Sequence, residues 1–150
     1  MDPVLQAILD AGIRYVVIGG QAVRLSGADR FALDWDFYIP ADDSGNLDRI
    51  NELLASHFCE PVLPTGPEGE NCVQAFQSGE DWIQFHLQVP GMPAFEIVEE
   101  SAIERRTTDG TPVRCACIRH LLASKLAADR PEDQADIEFL MEQSRVVPET

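Results

Sequence analysis

Asp34 and Asp36 stand two apart in the segment DWDFYI, where polar and apolar residues alternate up to Pro40. In an extended strand this spacing puts both carboxylates on one face and Trp35 and Phe37 on the other. Two carboxylates so placed repel unless water screens them or a cation lies between them. Their hard oxygens suit Mg2+ (or Mn2+), which takes one or two carboxylates and completes its shell with substrate phosphates. An acidic chain also carries such pairs on plain solvent-facing strands, so the pair alone leaves both readings open. Upstream, Gly19-Gly20 follows the apolar run RYVVI and precedes a short helical segment that starts at Gln21. Backbone without a Cβ lets a ligand approach closely, and the head of a helix offers N–H groups to an anion such as a triphosphate. Glycine pairs occur in many turns. A phosphate-binding turn followed by paired acids, both at strand ends, points to a nucleotide–metal site.

These groups need a sheet to position them. Asp2-Pro3 suits a helix start, with Val4, Leu5, Ile8 and Leu9 as its apolar face and Gly12 as its end. Residues 14–18 read as a short buried strand, 21–25 as a short helix, and 34–39 as a second strand. Leu47, Ile50, Leu53 and Leu54 mark an amphipathic helix over 46–57. Residues 61–71 hold three Pro and two Gly and read as a loop. Strands over 72–76 and 82–89 flank a turn at Ser78-Gly79-Glu80-Asp81, and strands over 103–107 and 113–117 flank Asp109-Gly110, a hairpin signal. Helices over 118–129 and 131–143 end the chain, with Pro131 at a helix start. No repeat, low-complexity tract or linker divides it. The expectation is one domain over residues 1–150, of α/β (α+β) class: a mixed sheet flanked by helices, with a C-terminal helical pair.

Twenty-six Asp and Glu against eleven Lys and Arg give a formal charge of −15. That excess disfavours non-specific nucleic-acid binding and docking on anionic lipid, both of which run on basic residues. The hydrophobic content of 45% lies in the globular range and excludes general disorder. Neither a secretory leader nor a run of the roughly 20 apolar residues that span a bilayer is present, so a cytoplasmic location is expected. Cys59, Cys72, Cys115 and Cys117 are scattered, and buried reduced thiols are the expected state. Cys115 and Cys117 would share a strand face. Lys125 is the only lysine.

The stretch YVVIGGQAVRLSGADRFALDWDFYIP, residues 15–40, resembles the nucleotidyltransferase superfamily with the DNA polymerase β-like fold. It is most similar to the small bacterial branch of minimal nucleotidyltransferases and abortive-infection toxin-like proteins. Gly19, Gly20, Gly27, Arg30, Asp34 and Asp36 fit that branch's pattern, with Ala32 where Thr is usual. The tail LLASKLAADRPEDQADIEFL, residues 121–140, resembles the branch's ending through Lys125, Arg130, Asp133 and Asp136. The resemblance implies transfer of a nucleoside monophosphate from Mg2+–NTP to a hydroxyl of a small molecule or protein, and a toxin context with a cognate antitoxin. An RNA acceptor is disfavoured by the acidic surface unless a partner supplies basic charge. Under this reading Gly19, Gly20 and Gln21 cradle phosphates, Asp34 and Asp36 hold metal, and Arg30 neutralises charge on the transferred group.

The resemblance also implies a third carboxylate, seven residues before a strand-closing Gly. Counting back from Gly91 reaches Gln84, which is neutral, a poor Mg2+ ligand beside a carboxylate, and no general base. Asp81 is at odd spacing from Gln84 and falls on the opposite face unless the preceding turn re-aims it. His86 shares the face of Gln84; its ordinary pKa of about 6.5 suits a base, and a strand histidine without a catalytic task is the plain alternative. The chain therefore reads either as a transferase or as a catalytically impaired homologue that binds a nucleotide or a partner protein. Lys125 either reaches a phosphate or the acceptor, or ties the last two helices together, while Arg130 pairs with Asp133. Asp133 and Asp136 are expected on the outward face of the last helix, with Ile137 and Leu140 inward.

Overall fold

The computed structural model describes residues 2–55, 62–63 and 73–146. Cys59, Cys72 and most of the expected 61–71 loop lie outside them. Val16, Val17 and Ile18 are all buried, as a short β-branched run in mid-sheet must be. They form β1 (Val16–Ile18), which runs antiparallel to β2 (Asp34–Tyr38) and parallel to β6 (Pro112–Cys115). β3 (Val73–Ser78) and β4 (Asp81–His86) make a hairpin, and β4 pairs parallel with β2. β5 (Ile103–Arg106) pairs antiparallel with β6 across the Asp109-Gly110 turn. The resulting sheet is mixed, in the order β3-β4-β2-β1-β6-β5.

Local chemistry accounts for the helix starts. Asp2 Oδ1 accepts from the amides of Val4 and Leu5 at 2.9 and 3.1 Å and opens α1 (Pro3–Asp10). The side chain of Asp43 accepts from the amide of Asn46 at the head of α3 (Ser44–Leu54). Between them α2 (Gly19–Leu25) leaves β1 with no intervening loop. α5 (Ile118–Ala128) and α6 (Gln134–Val146) pack together at the C-terminus. No helix among the described residues is long and apolar enough to cross a membrane.

Trp35, Phe37, Ile83 and Phe85 share the sheet face turned away from the paired acids, and all four are buried. Phe37 stacks on Phe85 at 5.4 Å between ring centroids and takes Tyr15 edge-on at 5.5 Å. Burying a side chain of this size contributes about 1.5–3 kcal/mol. Alternation along DWDFY is thus a core signal as well as a site signal.

Several expectations are corrected. β4 ends at His86 and β6 at Cys115, short of the anticipated 89 and 117. Cys117 consequently leaves the strand and sits at the head of α5, so the two thiols do not share a strand face. Both are free and buried, and burial pushes the Cys115 thiol up to about 12. Pro131 opens a single 3-10 turn (Pro131–Asp133) ahead of α6, where one helix over 131–143 was expected. A further helix, α4 (Phe95–Glu100), was not foreseen. It is six residues long and buries only Phe95 and Val98, one turn apart, which is too short a pattern to reveal a period.

Candidate active site

The direct passage from β1 into α2 sets the geometry. Ile18, the last residue of β1, pairs with Asp36, and Asp36 pairs with Gln84 on the other side. The start of α2, the acid strand β2 and the strand β4 that carries Gln84 therefore meet at one level of the sheet. A cleft of about 710 Å³ opens there, with the C-terminal helices as its far wall. Gly19, Gly20, Arg30, Asp34, Asp36, Gln84 and Lys125 all line it.

Gln21 does not. Its carboxamide is buried, donating to the Ala32 carbonyl at 2.9 Å and accepting from Arg24 Nε at 2.9 Å, which ties α2 to the segment before β2. It faces a smaller cavity of about 230 Å³ together with Trp35 and Asp81. Asp81 is thus on the opposite side of the sheet from Gln84, as its odd spacing predicts, and the turn does not re-aim it. Burial raises its carboxyl, with nearby Asp2 and Glu80 adding to the rise.

The glycine pair answers to the chain's own side chains. Gly19 has φ +69°, and a Cβ there would lie 2.7 Å from Asp36 Oδ2. A Cβ on Gly20 would lie 2.9 Å from an Arg30 terminal nitrogen. Only glycine lets the Asp36 carboxylate and the Arg30 guanidinium lie against this turn. Asp34 is exposed, and among the described residues no cation pairs with it. Asp36 is 17% exposed, with His86 Nε2 at 2.8 Å from its Oδ1.

The far wall has the opposite electrostatics. Lys125 Nζ lies 3.0 Å from Asp133 Oδ1 and 3.1 Å from Asp136 Oδ2. Arg130 Nε donates to Asp133 Oδ2 at 2.8 Å, and Arg30 Nη1 donates to Asp136 Oδ2. Asp133 and Asp136 are buried, which corrects their expected outward placement: the cations of α5 and of the 28–33 segment draw them inward. Burial pushes the Asp133 carboxyl up, but hydrogen bonds from Arg130 and Lys125 outweigh it and hold it below the usual carboxylate range. The Asp133 hydrogen bond raises the Arg130 guanidinium in turn.

Sequence reasoning missed one lining residue and one pairing. Phe31 is 77% exposed at the cleft mouth, beside Leu33, in a segment with no periodicity to assign it a side. Asp136 is the partner of Arg30 across 106 residues, a distance over which helical spacing carries no information.

Among the described residues no three His, Cys, Asp or Glu side chains converge as a closed metal cage. Two carboxylates on one open strand face still fit a cation that draws the rest of its shell from water and phosphate oxygens. No protein-family model matches the chain, and no curated protein matches it in sequence. Its backbone is similar to that of ANT(2'')-Ia, an aminoglycoside nucleotidyltransferase, in a crystal structure with adenylyl-2''-tobramycin (TM-score 0.56, 18% identity, 95% of this chain and 89% of that one). The solution structure of the antibiotic-resistance factor ANT(2'')-Ia is also similar (TM-score 0.51, 16% identity, 96% and 80%). At such identities the likeness bears on architecture alone: the chain has a nucleotidyltransferase-type fold, a mixed sheet flanked by helices that ends in a C-terminal helix.

Proposed function

We propose that the chain transfers a nucleoside monophosphate from a nucleoside triphosphate, ATP being the first to test, to a hydroxyl of a small molecule. The observation that carries this reading is the convergence of Gly19-Gly20, Arg30, Asp34 and Asp36 on one cleft of about 710 Å³. Clefts of roughly 300–1,000 Å³ suit small ligands better than a folded protein acceptor. In the reaction the acceptor oxygen attacks the α-phosphorus and the bond to the bridging oxygen breaks. Pyrophosphate leaves, and the hydroxyl proton passes to solvent. Asp34 and Asp36 are the residues that would hold Mg2+ or Mn2+, and the bound cation would supply charge neutralisation for the phosphoryl group in transfer. Arg30, oriented by Asp136 against Gly20, brings a fixed positive charge to the same wall. Lys125, which lines the cleft, is committed to Asp133 and Asp136 and braces its far wall.

The acceptor class follows from charge. With a formal charge of −15, and with Asp34 and Glu132 at the cleft, a cationic hydroxyl compound such as an amino sugar is favoured. The adenylyl-2''-tobramycin held by a structural neighbour supports the same class. A protein acceptor with a cognate antitoxin is the alternative that the toxin-like branch implies, and the size of the cleft weighs against it.

The test is a thermal-shift series with NTPs and Mg2+ or Mn2+, followed by label transfer from α-labelled NTP to a panel of amino sugars. Stabilisation that needs both metal and NTP, and that vanishes in Asp34→Asn and Asp36→Asn, is expected. No shift with any NTP at millimolar levels would sink the proposal. One observation favours a second reading: Gln84 stands in register with Asp36 where the family resemblance implies a carboxylate. On that reading the chain is an impaired homologue that binds nucleotide without transferring it. Label transfer by Gln84→Asp, with none by the natural chain, would decide for it.

A further inference from the structure

Gln84 puts an amide on β4, in register with Asp36, where the resemblance implies a carboxylate, yet another donor on β4 already touches Asp36. His86 lies two residues beyond Gln84 on the cleft side, and its Nε2 is 2.8 Å from Asp36 Oδ1. The other oxygen, Oδ2, is packed so closely on Gly19 that a Cβ there would come within 2.7 Å. The carboxylate is therefore met by His86 on one side and lies over the glycine turn on the other, while the two side chains keep 18% and 17% exposure.

That contact has the dimensions of a ligand edge. Two cis ligands of an octahedral cation with bonds of ~2.1 Å lie about 3.0 Å apart. The Oδ1–Nε2 separation of 2.8 Å needs only a small opening to reach it. As a hydrogen bond the contact uses the tautomer with Nε2–H; as a ligand pair it uses the other neutral tautomer, with the proton on Nδ1 and the Nε2 lone pair free. Imidazole nitrogen best suits later first-row cations such as Fe2+, Ni2+ and Zn2+; Mn2+ prefers oxygen but accepts an imidazole beside it, whereas Mg2+ prefers an all-oxygen shell.

We infer that His86 and Asp36 form a mixed nitrogen–oxygen ligand pair in the cleft, in place of the carboxylate absent at Gln84, and that the pair selects a divalent transition-metal cation over Mg2+. The inference deepens the nucleotide-transfer reading and rests on it for the phosphates that complete the shell. Asp34, exposed on the same strand face, stays free to meet the nucleotide-bound side of the cation or a second one.

Mn2+ is the probe, added to the full chain with and without α,β-methylene-ATP. Free Mn2+ is counted by electron paramagnetic resonance, and ligation is read from electron spin-echo modulation in protein carrying natural or 15N-labelled histidine. The expected result is modulation from one imidazole 14N that changes to the 15N pattern on labelling. It is lost in His86→Ala and His86→Gln, with Mn2+ bound about tenfold or more weakly. His86→Gln keeps an N–H donor for Asp36, so unchanged Mn2+ affinity in that variant would reduce His86 to a hydrogen-bonding role and overturn the inference. His86→Asp should keep Mn2+, lose the nitrogen signal and narrow the preference over Mg2+. Mn2+ held with the analogue but without histidine coupling overturns the ligand pair and leaves nucleotide binding standing. Histidine coupling to Mn2+ alone, with no binding of the analogue, upholds the pair and removes the nucleotide reading. Absence of Mn2+ binding under both conditions overturns both. The labelling arm needs only the natural chain, so a variant that fails to fold does not rescue the inference.

Discussion

Two pairs of aspartates lie on opposite sides of the cleft, one lining it and the other set into its far wall. Asp34 and Asp36 stand two apart on a strand, and Asp133 and Asp136 three apart around the start of a helix. The helical pair is buried and met by Lys125, Arg30 and Arg130, all from the same chain. Among the described residues the strand pair makes no direct ion pair with arginine or lysine; Asp36 meets His86 and acts on Arg130 only at longer range, and Asp34 faces solvent. A buried carboxylate is tolerable only when cations and hydrogen bonds compensate its lost hydration, so the helical pair belongs to the architecture. Under the proposed function, the acids at the open cleft keep their charge for a cation brought in with the nucleotide. Residue type and composition are the same in both pairs; who supplies the positive charge separates them.

The sharpest way to break this comparison is to remove one acid from each side. Asp133→Ala deprives Lys125 and Arg130 of a shared partner and leaves a largely buried ammonium half-compensated. A stability loss of about 3 kcal/mol is expected, read by denaturant unfolding. Asp36→Asn should instead leave unfolding within about 1 kcal/mol of the natural chain, while lowering metal-dependent nucleotide transfer roughly a hundredfold. If Asp36→Asn destabilised the fold as much as Asp133→Ala, the two pairs would be alike and the division would fail. Gly19→Ala probes the contact between turn and acid. A side chain at φ +69° aimed at Asp36 Oδ2 should cost about 1–2 kcal/mol and weaken nucleotide-dependent stabilisation as well.

The smallest effect concerns acid pH. The Asp133 carboxyl is held below its ordinary value in the fold, so the unfolded chain takes up its proton first. Its contribution is fully present above about pH 4 and is lost as pH falls through the lower folded value. Melting temperature should therefore decline more steeply below about pH 4 in the natural chain than in Asp133→Asn. Parallel declines would show that Asp133 is not what the cations stabilise.

Much of this was legible before any coordinates. Alternation in DWDFYI predicts which side chains enter the core, and Trp35 and Phe37 are buried as that pattern requires. Odd spacing separates Asp81 from Gln84, and the two line different cavities. The hairpin turns at Gly79 and Gly110 follow from residues that adopt positive φ. The signal gave out where elements are short or partners are distant. α4 is too brief for periodicity, and Gln21, which sequence placed with the phosphates, is turned away by hydrogen bonds to Ala32 and Arg24.

By itself, then, the sequence determined what depends on backbone period: the order of the strands and of the longer helices, the shared face of Asp34 and Asp36, and the neutral residue at Gln84. Backbone geometry is local, and a few neighbouring residues suffice to specify it. Only the tertiary structure decided that Lys125 serves Asp133 and Asp136, that Arg30 reaches Asp136 across 106 residues, and that His86 closes on Asp36 across 50. Burial and charge pairing depend on which surfaces meet, and no spacing within one element encodes that.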